Sequence, residues 1–123
     1  MSLIMNDAKT TLLDIKERVE VFVREREWNQ FHSPKNVSMA IAVEASELQE
    51  LFLWSSTQES FLVAQDKKKE VEDELADVLI ALVAFANATQ TDIAQVFERK
   101  LAETAQKYPV EKVKGKSDKY TAY

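Results

Sequence analysis

Apolar residues recur at helical spacing from the start of this chain. Leu12, Ile15, Val19 and Phe22 stand three or four residues apart, which places them on one face of a helix. Charged residues occupy the positions between them, as expected for the solvent side of an amphipathic helix. The pattern therefore predicts a first helix that ends near Trp28.

Capping signals divide the rest of the chain into further helices. Ser33 followed by Pro34 is typical of an N-cap with proline at the first helical position. Ser56 with Glu59 three residues later resembles a capping box, which predicts a short helix through residue 64. The other predicted helices span about 34–54, 66–88 and 92–108.

Turn-forming residues are scarce, and this excludes most β architectures. The 123 residues include one glycine, Gly115, and two prolines, whereas a β protein of this size needs more turn residues. We therefore expect an all-α fold, a four-to-five-helix bundle. The expected division is a helical domain over 1–109 and a basic, irregular C-terminal tail over 110–123.

Composition removes several classes of function. Cysteine is absent and His32 is the only histidine, so thiolate chemistry is excluded and a zinc site is disfavoured. A net charge of −5 argues against binding a nucleic acid polymer. The longest strongly apolar run, Val78 to Ala86, is too short to span a membrane. We also expect no signal peptide, because residues 1–10 lack a basic stretch followed by an apolar one. A cytoplasmic protein is the expectation.

Two pairs of acidic residues carry the chemical argument. Glu44 and Glu47 stand three apart in the second predicted helix, and Glu74 and Asp77 stand three apart in the 66–88 helix. Residues at this spacing share a helix face. Long apolar runs adjoin both pairs, which predicts buried helices with the acids in or beside the core. A buried charge without a partner is costly, so a cation must neutralise it.

No basic residue is available to these acids at helical spacing. Positions three and four residues from Glu44, Glu47 and Asp77 hold no lysine or arginine. Converging carboxylates are typical ligands of Mg²⁺, for which Mn²⁺ is a possible substitute. A solvated acidic face is the alternative interpretation. A di-iron carboxylate bundle is disfavoured because it needs Glu-x-x-His motifs, and Asn29 stands three residues before His32.

The arrangement of these motifs resembles the MazG-like all-α NTP pyrophosphatase superfamily, most closely its dCTP pyrophosphatase branch. The resemblance rests on four segments, which are EWNQFHSPKN from Glu27, EASELQELFLW from Glu44, ELADVLI from Glu74 and KYT from Lys119. It implies hydrolysis of a nucleoside triphosphate to the monophosphate and pyrophosphate. It also implies Mg²⁺ held by the four acids, and a homodimer or homotetramer.

The remaining candidate residues are expected to bind the nucleotide. Aromatic faces stack well on nucleobases, and lysines attract phosphates, although each of these side chains has an ordinary packing or solvent-exposed alternative. The substrate-binding candidates are Trp28, Phe31, His32, Trp54, Lys100, Thr104, Tyr108, Lys119 and Tyr120. The proposed chemistry is metal-assisted attack of water on phosphorus, with Glu47 one candidate for the general base.

Three positions depart from the pattern of the dCTP branch. Val19 stands where histidine can occur, Ala81 where tyrosine is frequent and Thr104 where asparagine is frequent. In the family these positions lie near the base pocket, so the departures leave the chemistry in place and the choice of base open. A dUTPase-like member, a phosphoribosyl-ATP pyrophosphatase and a non-catalytic helical interaction module remain as alternatives.

Overall fold

A computed structural model describes residues 4–122 of the protein. The described residues form helices and turns without β-strands, as the scarcity of turn residues predicted. The α-helices are α1 (Leu12–Glu25), α2 (Pro34–Glu50), α3 (Thr57–Asp66), α4 (Lys68–Ala88), α5 (Ile93–Lys107) and α6 (Val110–Val113). Two 3₁₀ turns, Trp28–Phe31 and Tyr120–Ala122, complete the described secondary structure.

The chain forms two compact units, and the first ends at Thr91. In this first unit α2 packs along α4, while α1 and α3 also contact α4. The second unit begins at Asp92 and contains α5, α6 and the second 3₁₀ turn. The predicted division into a domain over 1–109 and a tail over 110–123 stays a prediction.

Helix starts follow the capping chemistry of the sequence. The Ser56 hydroxyl accepts a hydrogen bond from the Glu59 amide at 3.1 Å, and the Glu59 carboxylate accepts one from the Ser56 amide. Ser33 caps α2 with Pro34 at its first position. Thr11 and Asp14 form a further capping box at the start of α1. These contacts satisfy amide groups that have no partner within the helix.

The second predicted helix ends earlier than expected. The chain leaves α2 after Glu50, and residues 51–54 form turns. The Phe52 amide donates to the Gln49 carbonyl, and the Ser55 amide and hydroxyl both donate to the Phe52 carbonyl. Tighter bonds across three residues replace the α-helical ladder here, so the prediction of a helix to about Trp54 was four residues too long.

The core of the first unit is small. Its buried apolar residues lie on α1, α2 and α4, and Val83 on α4 is fully buried. The same helix leaves Leu75, Leu79 and Leu82 at 59%, 43% and 46% exposure. The prediction that this helix is buried on every side was therefore wrong for the single chain. The reason is that the neighbouring helices cover only the face of α4 that carries Val83.

The second unit is more ordered than predicted. Residues 110–113 form the short helix α6 directly after Pro109, where an irregular tail was expected. Tyr120 is held against α5, because its amide donates to the Tyr108 hydroxyl at 3.1 Å and the two rings meet edge to face at 5.9 Å. The Lys107 ammonium lies 4.9 Å from the Tyr120 ring centre.

Candidate metal centre and nucleotide site

The packing of α2 against α4 brings the two acidic pairs together. Each pair spans slightly less than one helical turn, so both members point from the same side of their helix. One carboxylate oxygen from each of Glu44, Glu47, Glu74 and Asp77 lies within 4.8 Å of the other three. The predicted convergence of these four acids is therefore present in the folded chain.

The four carboxylates differ in their exposure to water. Glu44 and Glu74 are half-buried, whereas Glu47 and Asp77 are exposed. The Oε2 atoms of Glu44 and Glu74 are inaccessible to solvent and accept no hydrogen bond. The acids thus lie beside the core. In each acidic pair, one carboxylate oxygen of the first glutamate is shielded from water.

Lost hydration and neighbouring negative charges both raise the pKa values of the two half-buried acids. Burial raises the pKa of Glu44 above its ordinary value of 4.5, and the nearby charges of Glu47 and Asp77 raise it further. Burial also raises the pKa of Glu74, followed by its interactions with Glu47, Asp77 and Glu44. Both directions mean that the ionised form is disfavoured when only protein groups surround it.

This arrangement fits a divalent cation. Mg²⁺ is bound through oxygen atoms, and it commonly uses a few carboxylates together with water and substrate phosphates. A cation among the four acids would give the two unpartnered Oε2 atoms a ligand and would offset the mutual repulsion of the carboxylates. No salt bridge of the described residues involves any of the four acids, so the protein itself supplies no competing cation.

An apolar cavity of about 480 Å³ opens beside the acidic cluster. Glu44 and Asp77 form part of its wall, so any molecule in the cavity lies next to the acidic cluster. Three of the predicted substrate-binding residues, Trp28, Phe31 and His32, line this cavity. Asn36 and Phe22 also line it and were missed as site residues. Asn36 could have been chosen as a candidate from the sequence, because it is the last residue of the EWNQFHSPKN segment.

A tight turn holds the aromatic wall of this cavity. Glu27 adopts left-handed backbone with φ of 53° and thereby starts the 3₁₀ turn that carries Trp28. The Trp28 ring meets Phe22 of α1 edge to face at 5.7 Å. The Asn36 side-chain amide donates to the Phe31 carbonyl at 3.0 Å, which ties the end of the turn to the start of α2. These contacts fix the direction of the aromatic side chains.

Other predicted nucleotide-binding residues are not among those that line this cavity. Trp54 is 91% exposed and does not line the cavity beside the acidic cluster. In the second unit, Lys100 and Thr104 line an apolar groove with Phe97 and Leu101. Lys100 also lies 3.9 Å from the Glu103 carboxylate. Its side chain is 61% exposed.

Tyr108 and Tyr120 contact each other in the second unit, and Lys119 is exposed beside them. The contact with Tyr108 fixes the position of Tyr120, the central residue of the KYT segment that begins at Lys119.

Comparison with known proteins places this site in a family. A model of the MazG-like family matches residues 39–122, the region that contains all four acids. The chain belongs to the MazG-like family. It is 41% identical over 113 residues to dCTP pyrophosphatase 1 of Mus musculus and 35% identical to that of Homo sapiens. These matches cover 90% of the chain but 66% of each relative, so this MazG-like chain spans just under two thirds of their length.

A solved structure shares the fold of this MazG-like chain. It is a pyrophosphatase from Archaeoglobus fulgidus DSM 4304, with a TM-score of 0.74 and 34% sequence identity. The likeness covers 89% of this chain and 99% of the archaeal one. The predicted all-α fold of MazG-like type is therefore confirmed. A membrane-spanning helix is not found in residues 4–122, since none reaches the length and hydropathy of a bilayer crossing.

Proposed function

We propose that this chain is a Mg²⁺-dependent nucleoside triphosphate pyrophosphohydrolase, acting on dCTP or a related deoxynucleotide and releasing the monophosphate and pyrophosphate. The observation that carries the proposal is the cluster of four carboxylates with two solvent-inaccessible, unpartnered oxygens at the edge of an aromatic cavity. The cluster suits a metal–triphosphate, and the cavity suits a base. The similarity of the chain to a dCTP pyrophosphatase and to an archaeal pyrophosphatase supports the same reaction class.

The cavity residues are proposed to bind the nucleoside. Trp28 and Phe31 offer aromatic faces, and stacking on such faces tolerates any base. His32 and Asn36 add polar groups to the wall. Because Glu44 and Asp77 border the same cavity, a base seated there directs its phosphates towards the acidic cluster. The cavity thus accounts for binding and the cluster for chemistry.

Glu44, Glu47, Glu74 and Asp77 are proposed to hold Mg²⁺, with Mn²⁺ a substitute of the same ligand preference. An ion held there would polarise the phosphate oxygens and would lower the pKa of the attacking water. We assign the acceptance of the proton from the attacking water to Glu47. It is exposed, and it adjoins both Glu44 and Glu74. Water is the nucleophile, so no covalent intermediate is required.

The second unit is proposed to contribute cations for the triphosphate in the active oligomer. Lys100 and Lys119 are exposed, and Tyr120 beside Lys119 is held in place by Tyr108. Thr104 lies one turn after Lys100 on the same helix, and its hydroxyl donates to the Lys100 carbonyl. An ammonium group offsets the charge that develops on pyrophosphate as it leaves. Trp54 is proposed to contact the nucleotide in the oligomer as well.

A homodimer or homotetramer is proposed because the single chain leaves large apolar surfaces uncovered. Leu75, Leu79 and Leu82 form an exposed row along α4, and Met39 and Val43 form another on α2. Contiguous exposed apolar surface is typical of protein–protein interfaces. Association of copies of the chain would remove this apolar surface from water. We also propose a cytoplasmic location for the protein.

The test is a hydrolysis assay with a panel of ribo- and deoxyribonucleoside triphosphates, Mg²⁺ or EDTA, and separate detection of pyrophosphate and orthophosphate. We expect Mg²⁺-dependent release of pyrophosphate, with dCTP the best of the unmodified substrates. Asp77→Ala should abolish turnover while the far-UV circular dichroism stays helical. Orthophosphate as the product, or full activity in Asp77→Ala, would overturn the proposal.

A further inference from the structure

Two side-chain hydrogen bonds join α1 to the end of α4. The Lys16 ammonium donates to the Thr91 carbonyl at 2.7 Å, and the Asn87 side-chain nitrogen donates to the Lys16 carbonyl at 3.0 Å. All three residues are half-buried. Lys16 is separated from Thr91 by 75 positions and from Asn87 by 71, so these bonds fix tertiary structure rather than a local turn. Together they form the α1–α4 clamp.

The α4 side of the clamp is itself held by backbone bonds. Gln90 adopts left-handed backbone with φ of 54°, and the Thr91 amide donates to the Ala86 carbonyl at 2.8 Å. Such a bond across five residues is typical of a helix C-cap. The Lys16 ammonium therefore lies where the dipole of α4 places partial negative charge. The clamp joins α1 to an ordered helix end and not to a flexible loop.

The α1–α4 clamp lies one helical turn from the cavity beside the acidic cluster, on both helices. Lys16 precedes Val19 by three residues on α1, and Asn87 follows Ala84 by three residues on α4. Val19 and Ala84 line the cavity, whereas Lys16 and Asn87 do not. Because valine and alanine are short, they leave space between the helices here. The clamp, rather than interlocking side chains, therefore sets the separation of α1 and α4 at this end of the cavity.

We propose that Lys16 and Asn87 are positioning residues, which set the separation of α1 and α4 and thereby the size of base that the cavity accepts. The inference rests on the proposed function, since the cavity must hold the base. Lys16 acts through α1, which carries the wall residues Val19 and Phe22. Without the clamp the two helices can move apart at this end. A larger purine base then competes better with a pyrimidine.

Lys16→Met tests the clamp, because it keeps an apolar stem and removes the hydrogen-bond donor. The measurement is kcat/KM for dCTP and for dATP in the presence of Mg²⁺. We expect the native chain to prefer dCTP, and the dCTP-to-dATP ratio to fall about tenfold in Lys16→Met, as a misfit of one methylene group provides. The loss should appear mainly as a raised KM for dCTP, since the clamp supports binding and not chemistry. Lys16→Arg keeps a donor and should retain the native ratio.

Further variants separate positioning from general stability. Asn87→Ala removes the second bond of the clamp and should lower the ratio as Lys16→Met does. The double variant should lower it little further, because both bonds act on one separation. Ser56→Ala is the control for stability, since it loses a capping bond of α3 and does not line the cavity, and it should keep the native ratio. Lys68→Met removes an exposed lysine at the other end of α4 and should also keep it.

The outcomes distinguish this inference from the proposed function. The rise of Tm with Mg²⁺ should persist in Lys16→Met, since Asn87 stands about 15 Å along α4 from Asp77. An unchanged ratio in Lys16→Met, an equal fall in Ser56→Ala, or a native ratio near one refutes the positioning inference and leaves the reaction class intact. Thermal melts check that each variant is folded, and Asn87→Ala provides the same test if Lys16→Met is not. Failure of the native chain to release pyrophosphate from either nucleotide refutes the proposed function instead.

Discussion

The strongest test of the metal centre replaces one of its charges without changing its shape. Asp77→Asn keeps the length of the side chain on α4 but removes one of the four charged ligands that lie within 4.8 Å of one another. We expect Mg²⁺ to stabilise the native chain and this variant to lose that stabilisation. The metal-free variant should be at least as stable as the native metal-free chain, because one like charge has left the cluster.

The size of the effect follows from ligand linkage. A metal present at about 100 times its Kd stabilises the folded state by about 2.7 kcal/mol. For a chain of 123 residues this raises Tm by about 10 °C. Loss of supporting groups around a metal weakens affinity about 10- to 100-fold, and loss of a direct ligand should weaken it at least as much. A 100-fold loss leaves about 0.4 kcal/mol at the same Mg²⁺ concentration, or about 1–2 °C.

The assay is a thermal melt at one fixed protein concentration, with Mg²⁺ or with EDTA. Asp73→Asn is the matched control, because Asp73 lies on the same helix, pairs with Lys69 at 2.7 Å and stands outside the cluster. The control should keep the full Mg²⁺ shift. A full shift in Asp77→Asn, or an equal loss in both variants, would refute the assignment of the metal centre.

Three further predictions concern pH, the cavity and a helix cap. The raised pKa values of Glu44 and Glu74 mean that, as pH falls, the metal-free folded chain takes up these protons before the unfolded chain does. The free energy of unfolding of the metal-free chain, measured by urea titration in EDTA, should therefore increase as pH falls from 7 towards 4.5. The Glu74→Gln variant should show a smaller increase over the same pH range. Trp28→Ala removes the aromatic wall beside Phe22 and should raise KM about tenfold in steady-state assays, with the Mg²⁺ shift retained. Ser56→Ala removes a capping bond and should cost about 1 kcal/mol in chemical denaturation while kcat stays unchanged.

Local rules account for what the sequence predicted well. Ser33 and Ser56 cap their helices as expected, because an N-cap bond involves only residues two or three positions apart. The pairing of Glu44 with Glu47 on one helix face follows equally from helical geometry. The convergence of the two acidic pairs was expected from the absence of basic neighbours, and the packing of α2 against α4 provides it.

Long-range packing explains what the sequence could not predict. Leu79 on α4 has an apolar neighbourhood in sequence, yet its exposure depends on whether another helix covers that face. Trp54 lies in a turn rather than at the end of a helix, because side-chain and backbone bonds at Ser55 compete with one more helical turn. The extent of the cavity depends on side chains from four separate segments, which are α1, the first 3₁₀ turn, α2 and α4, so Phe22 alone gave no signal that it lines a site.

The left-handed backbone at Glu27 has a consequence for how this turn tolerates change. A residue with a Cβ atom in this conformation carries about 1 kcal/mol of local strain, which glycine would relieve. Glycine would also widen the range of conformations open to the unfolded chain, which opposes folding by a similar amount. The two effects nearly cancel in overall stability. What changes is the freedom of the backbone immediately before Trp28, so glutamate at this position keeps the aromatic wall of the empty cavity in a fixed orientation.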